Sequence, residues 1–201
     1  PDLAMLDRLL VVAELNGLSA FVVANKVDLA PAEDRFVPQR SAGYEVVGTS
    51  ALEGTGLDRL RDRLRDRTTA LAGPSGAGKT SLLNAMLPDV DRRVGDVSER
   101  AGRGRHTTVN ATLLPLHGGG YVADTPGLQF LELWELSPDQ LAAAFPEFRP
   151  LLGTCRFNDC RHVEEPGCGI REALERGEVH ERRYRSYRTL LEEAEDRGRP
   201  W

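Results

Sequence analysis

Apolar residues open the chain at helical intervals: Leu3, Leu6, Leu10 and Ala13, with Asp7, Arg8 and Glu14 between them. The spacing predicts an amphipathic helix that ends near Asn16-Gly17, where glycine suits a C-cap. Ala20-Phe21-Val22-Val23-Ala24 has the length and composition of a buried strand. A polar, proline-bearing stretch, Ala30–Ser41, is expected as loop or short helix, and Tyr44–Gly48 as a second strand. Leu57, Leu60 and Leu64 predict a helix whose other face carries Arg and Asp. Thr68–Ala72 reads as a brief strand, a glycine-rich turn follows, and Ser81–Leu87 begins another helix. Ser98–Thr108 has no hydrophobic period and is expected to be a loop. Asn110–Leu116 and Tyr121–Asp124 read as strands joined at Gly118-Gly119-Gly120. Beyond Ser137 the pattern changes to a short helix around Leu141–Phe145, a cysteine cluster, and a charged helix over Glu178–Asp196. A domain boundary is expected near Leu131–Ser137. Strands alternating with helices indicate an α/β fold with a mostly parallel sheet.

Composition narrows the picture at a few points. The 201 residues suffice for one α/β domain and a small appendage. A net charge of -5 gives no overall basic bias toward nucleic acid. No apolar run reaches the roughly 18 residues of a membrane span, and no signal peptide is visible. All three cysteines lie between Cys155 and Cys168. That distribution argues against a secreted disulfide framework and for a reducing, cytoplasmic setting. There is no initiator Met, so the chain reads as part of a longer protein.

Gly73-Pro74-Ser75-Gly76-Ala77-Gly78-Lys79-Thr80 fits G-x-x-x-x-G-K-[ST] without a mismatch. Glycines let successive N–H groups curl toward phosphate oxygens, and the following helix, from Ser81 on, adds its positive end. Lys79 would neutralise the β- and γ-phosphates, and Thr80 would ligate Mg²⁺. A chance glycine turn is the bland alternative, against which the strand before and the helix after both argue. The motif alone does not separate ATPase, GTPase and kinase.

Asn25-Lys26-Val27-Asp28 supplies that distinction. It fits N-K-x-D at the end of a predicted strand, where ligands of open α/β sheets sit. The Asp28 carboxylate can accept from guanine N1–H and its 2-amino group. Adenine has neither donor and would leave a carboxylate unpaired. Lys26 can lay its stem on the base. Ser50-Ala51, at the end of the next strand, could offer the Ala51 N–H to guanine O6. Asp124-Thr-Pro-Gly127 fits D-x-x-G: Asp124 would hold Mg²⁺ through water and the Gly127 N–H would sense the γ-phosphate. In the intervening loop, Thr107 or Thr108 would complete the Mg²⁺ shell.

The motifs therefore run N-K-x-D, S-A, phosphate loop, Thr, D-x-x-G, whereas the common Ras-like order places the first two last. The residue after D-x-x-G is Leu128, which cannot orient water as a glutamine would. His106 is the candidate for that task, its imidazole able to work near neutral pH. Its alternative role is that of a loop residue meeting RNA or solvent.

Cys155, Cys160, His162 and Cys168 form a Cys₃His set, a closed structural site for Zn²⁺. The Pro166-Gly167 turn would help to bring Cys168 back. Three unrelated buried thiols are the alternative. Arg156, Arg161, Arg171, Arg176, Arg182, Arg183, Arg185 and Arg188 could meet RNA phosphates. The interspersed glutamates favour an acid–base solvated helix for most of them.

By its permuted motif order, G-R-H-T-T switch and cysteine cluster, nearly the whole chain resembles the RsgA (YjeQ/EngC) ribosome-associated GTPases. The resemblance implies a circularly permuted Ras-like P-loop GTPase domain over 1–133 and a small α-helical zinc-binding domain over 134–201. It implies Mg²⁺-dependent hydrolysis of GTP to GDP, stimulated by the small ribosomal subunit and its rRNA during late maturation of that particle. It supports the same four zinc ligands, and the protein is expected to be a cytoplasmic monomer without membrane contact. Family members carry an N-terminal OB-fold to which no residues here correspond. The resemblance also places a central sheet strand just before Pro1, so a gap in the sheet is expected. The competing class is a nucleotide-switched RNA-binding module in which hydrolysis only times release. An ATPase or nucleoside kinase would require ignoring Asn25–Asp28.

Overall fold

The computed structural model describes residues 2–32, 34–87, 112–124 and 137–197. In chain order its elements are α1 (Leu3–Leu15), β1 (Val22–Asn25), α2 (Val37–Ser41), β2 (Val46–Thr49), α3 (Leu57–Leu64) and β3 (Thr68–Ala70). There follow α4 (Lys79–Met86), β4 (Thr112–Pro115), β5 (Tyr121–Asp124), α5 (Pro138–Ala143), a 3₁₀ helix (Pro146–Leu151), α6 (Gly169–Glu175) and α7 (Glu181–Arg197). The content is mixed α/β. α6 is an element that the hydrophobic pattern did not predict; the residues before it are dictated by the cysteine loop rather than by a helical stripe.

Contacts divide the chain into two compact units. One gathers Pro1–Val22, Glu33–Val46 and Glu132–Trp201; the other Val23–Ala32 and Val47–Leu131. In the first, α1 starts where the Asp2 carboxylate accepts the Met5 N–H at 3.0 Å, and stops at Asn16 and Gly17, which has φ +64°. A capping box between Ser137 and Gln140 starts α5. The core joins Val11 to Leu141, Phe145, Phe148, Ile170, Tyr187 and Leu191. Phe145 and Phe148 stack with centroids 5.1 Å apart, and Tyr187 meets them edge-on at 5.5 and 5.2 Å.

Two charged residues depart from the sequence expectation here. Asp7, one of the charged residues between the apolar positions of α1, is fully buried, as is Arg183 of the charged helix α7. Arg183 Nη1 donates to Asp7 Oδ1 at 2.7 Å, and its Nε and Nη2 donate to the two Glu147 oxygens at 2.7 and 3.3 Å. Asp7 also accepts from Gln39 Nε2 at 2.9 Å and Ser186 Oγ at 2.6 Å. Arg183 is thus a core cross-link, neither a solvated arginine nor one available to phosphate.

In the second unit, β5 is central. It pairs in parallel with β3, Thr68 opposite Tyr121 and Ala70 opposite Ala123, and antiparallel with β4. The hairpin turn needs glycine at Gly120, whose φ is +88° and where a Cβ would lie 2.5 Å from the Arg67 carbonyl oxygen. α3 buries Leu57, Leu60 and Leu64 as their spacing predicted. β1 and β2 make a separate pair. The Val22 N–H donates to Glu45 O and the Val27 N–H to Thr49 O, partners that ascend together as in a parallel ladder. No pairing joins β1 or β2 to the other three strands among the described residues.

Candidate functional site

The phosphate loop lies between β3 and α4, the strand-to-helix context that the motif requires. Gly73, Gly76 and Gly78 have φ of +151°, +78° and +90°. The last two are left-handed values that Cβ-bearing residues rarely adopt. Lys79 opens α4 and bends back along the loop, its Nζ donating to Gly73 O at 2.7 Å and Pro74 O at 3.0 Å. Thr80 and Ser81 follow in the first helical turn.

The base-reading segment meets this loop directly. Lys26, at φ +67°, donates from Nζ to Gly76 O at 2.8 Å. Asn25 Nδ2 donates to Ala77 O at 3.2 Å. Asn25 Oδ1 accepts the Ala51 N–H and the Thr49 hydroxyl, both at 3.3 Å. One asparagine therefore ties three motifs that lie 24 to 52 residues apart in the chain. Any Cβ-bearing residue at Gly78 would be strained at φ +90°, and its Cβ, 2.3 Å from Asn25 Nδ2, would force the Asn25 side chain to move. The partly buried Asp28 carboxylate, by contrast, has no hydrogen-bond partner among the described residues. Ser50 is buried and its Oγ accepts the Glu53 N–H at 3.1 Å, so its hydroxyl shapes the turn that presents Ala51. Asn25, part of the N-K-x-D motif, bonds to protein on both sides.

Asp124 ends β5, on the strand next to β3. His106, Thr107, Thr108, Gly127 and Leu128 lie outside the described residues.

A second cluster is built in the other unit. The ligand atoms of Cys155, Cys160, His162 and Cys168 lie within 4.8 Å of one another, and the cysteines are free thiols. Cys155 Sγ is 3.9 Å from Cys168 Sγ, and His162 Nδ1 is 3.5 and 3.4 Å from these two sulfurs. Tetrahedral coordination with Zn–S of ~2.3 Å and Zn–N of ~2.0 Å requires edges of ~3.8 Å between sulfurs and ~3.5 Å between sulfur and nitrogen. The donor set therefore fits a tetrahedral N/S metal site. The Arg156 N–H, donating to Gly167 O at 2.9 Å, brings the two ends of the loop together.

Burial pushes the Cys160 thiol up to about 12, against the lowering effect of the His162 N–H, and it raises Cys168 too. Without a cation these thiols keep their protons; a bound divalent cation reverses that balance. Burial also lowers His162, which Glu165 and Asp139 oppose, and so favours the neutral imidazole that ligates metals. Three residues that the sequence reading passed over support this loop. Glu165 accepts several of its N–H groups, and Tyr184 and Tyr187 donate to its carbonyls. Only the proximity of Glu165 to His162 hinted at this in the sequence.

Residues 1–134 match the RsgA GTPase family. The small ribosomal subunit biogenesis GTPase RsgA of Gemmatimonas aurantiaca is 53% identical over 196 residues, covering 96% of this chain and 64% of that protein. Its namesake in Moorella thermoacetica is 45% identical over 201 residues, covering 99% of this chain and 69% of that protein. Among solved structures, YjeQ from Thermotoga maritima matches with a TM-score of 0.81 at 39% identity, over all of this chain and 68% of that one. YloQ, a circularly permuted GTPase, matches with a TM-score of 0.78 at 32% identity, over all of this chain and 66% of that one. The chain thus spans about two thirds of the length of these relatives. With the motif order, the asparagine-linked loops and these matches in hand, the chain belongs to the RsgA GTPase family.

Proposed function

We propose that this chain is the catalytic portion of a Mg²⁺-dependent GTPase acting in late maturation of the small ribosomal subunit, cytoplasmic and monomeric, with turnover stimulated by that particle. The observation that carries the reading is the Asn25 bridge. Asn25, in the segment that also carries Asp28, donates to Ala77 O of the glycine loop and accepts the Ala51 N–H, which supports reading the three segments as parts of one nucleotide site. In this reading the fold is a circularly permuted Ras-like GTPase domain, residues 1–133, followed by a zinc-binding helical domain, residues 134–201.

Each residue then has a task. Asp28 accepts from guanine and rejects adenine, which offers it no donor. Loop N–H groups from Gly73 to Lys79, with the N-terminus of α4, hold the phosphates. Lys79 exchanges two carbonyl contacts for phosphate oxygens, a charge-assisted replacement. Thr80 and Asp124 would hold Mg²⁺, joined by Thr107 or Thr108, and the ion would supply charge neutralisation to the phosphates. The Gly127 N–H meets the γ-phosphate. Leu128 contributes no hydrogen bond to the attacking water, so His106 positions it, with the particle supplying the rest of the acceleration. Zinc is structural: four protein ligands close its shell.

The deciding experiment is GTP hydrolysis by the chain with and without purified small subunits. Stimulated turnover of GTP and not ATP is expected. GTP-dependent association with the particle, without turnover even when saturated, would instead identify a switched RNA-binding module.

A further inference from the structure

The turn that carries His162 is left-handed, with φ +62°. A residue other than glycine occupies that region only at a steric cost, sustained where its surroundings impose it. Three side chains do so here. The Glu165 carboxylate accepts the Arg161 N–H on Oε1 at 2.9 Å, and the Val163 and Glu164 N–H groups on Oε2 at 2.9 and 3.1 Å. On the carbonyl side, Tyr187 Oη donates to Arg161 O at 2.9 Å and Tyr184 Oη to His162 O at 2.7 Å. Both tyrosines belong to α7, and Tyr187 is fully buried against Phe145 and Phe148. The backbone donors on both sides of His162 are therefore held by one carboxylate, and the carbonyls on either side of the His162 N–H are held from one helix.

From this geometry we propose that Glu165 is the positioning residue of the metal site, fixing the His162 turn before the metal arrives, with Tyr184 and Tyr187 anchoring the same turn to α7. The proposal rests on the reading of the Cys₃His cluster as a zinc site. Glu165 is not a fifth ligand, since both of its oxygens are occupied by N–H groups and four ligands close a tetrahedral shell without it. Its carboxyl is affected first by burial, which raises it, yet the combined N–H donors hold it near 2 against an ordinary 4.5. The neighbouring Glu164 is exposed, and its carboxylate has no partner among the described residues. It is a control that removes the same charge one position away.

The experiment compares zinc transfer from the holoprotein to a chromophoric chelator, and the d–d spectrum of the Co²⁺-substituted protein. The variants are Glu165→Ala, Glu165→Gln, Tyr184→Phe, Glu164→Ala and Leu190→Ala, the last a core change on α7 that removes no hydrogen bond to the turn. Loss of an outer partner of a ligand costs metal affinity about 10–100-fold. Glu165→Ala should lose zinc faster by that factor. Glu165→Gln, which keeps one acceptor, should fall between it and the native protein. Tyr184→Phe should show a smaller increase, and it serves as the decisive variant should Glu165→Ala fail to fold. Glu164→Ala should transfer zinc at the native rate. The Co²⁺ spectrum should shift for Glu165→Ala and not for Leu190→Ala. Native transfer rates in both Glu165→Gln and Tyr184→Phe, or a Glu165→Ala spectrum like the native one, would overturn the proposal while leaving the metal site standing. Absence of bound metal in the native protein would overturn both.

Discussion

Replacing Arg183 with methionine tests whether the core of the α1–α7 unit depends on a buried ion triad. The side chain is fully buried and makes three charged hydrogen bonds, to Glu147 at 2.7 and 3.3 Å and to Asp7 at 2.7 Å. Its guanidinium carbon also lies 4.7 Å from the Phe145 ring centroid. Methionine keeps much of the apolar stem but strands both carboxylates. Asp7 retains Ser186 Oγ and Gln39 Nε2, whereas Glu147, 6% exposed at its side chain, retains no partner among the described residues. Breaking a buried pair by removing one member costs about 3–5 kcal/mol, because a charge is left uncompensated. Two effects pull toward the low end: Asp7 keeps two donors, and Glu147 can swing into water. The expected loss is therefore about 3 kcal/mol, read as a shift in the urea midpoint. At about 2–4 °C per kcal/mol for a chain of this size, Tm should fall by about 6–12 °C. The opposing possibility is that the triad behaves like exposed pairs, which contribute about 0–1 kcal/mol. A loss below about 1 kcal/mol would refute the reasoning. Substituting Asp7, Glu147 and Arg183 together with apolar residues should recover most of the loss, since no charge is then left buried.

Four further outcomes follow from the same geometry. Asp28→Ala should weaken GTP binding by roughly 10–150-fold, the worth of about 1.5–3 kcal/mol for hydrogen bonds to a charged group, and narrow the preference over ATP. Calorimetric titration showing an unchanged preference would count against guanine reading by this residue. Gly78→Ala should abolish nucleotide binding, since its Cβ would meet Asn25 Nδ2 at 2.3 Å in a backbone held at φ +90°; retention of native affinity would mean that the bridge is dispensable. His106→Ala should lower GTP turnover with affinity nearly intact, and unchanged particle-stimulated turnover would remove it from the mechanism. The Glu165 carboxyl is depressed on folding from 4.5 to about 2, so its stabilising contribution is full above pH 4.5 and is lost as pH falls toward 2. Urea midpoints followed down that window should decline less steeply for Glu165→Gln than for the native protein, and parallel declines would contradict the assignment.

The nucleotide motifs were legible because each imposes local chemistry. Glycines at 73, 76 and 78, a lysine at 79 and an acid at 28 have to occupy fixed offsets, whatever surrounds them. The cysteine loop was legible for a similar reason, as thiols and imidazole gathered in a short segment. Less visible was the status of charged residues in helices. Asp7 lies on the Leu3–Leu10 face of α1 by the 3.6-residue period, and only its charge argued for the surface. Its burial is set by Arg183, 176 residues later. Likewise Glu165 looks like any loop acid until the three N–H groups around it are seen.

What the sequence determined by itself was the order of the motifs and the gathering of three thiols and an imidazole in one short loop, since these depend on short-range spacing. What only the tertiary structure decided was how they are held. Asn25 links the base-reading segment to the phosphate loop, Arg183 closes the core across α1 and α7, and a carboxylate with two tyrosines fixes the His162 turn. These are long-range or irregular-backbone hydrogen bonds. Periodicity reports which face of an element is apolar, and it is silent on which polar group from a distant segment will arrive to satisfy a buried one.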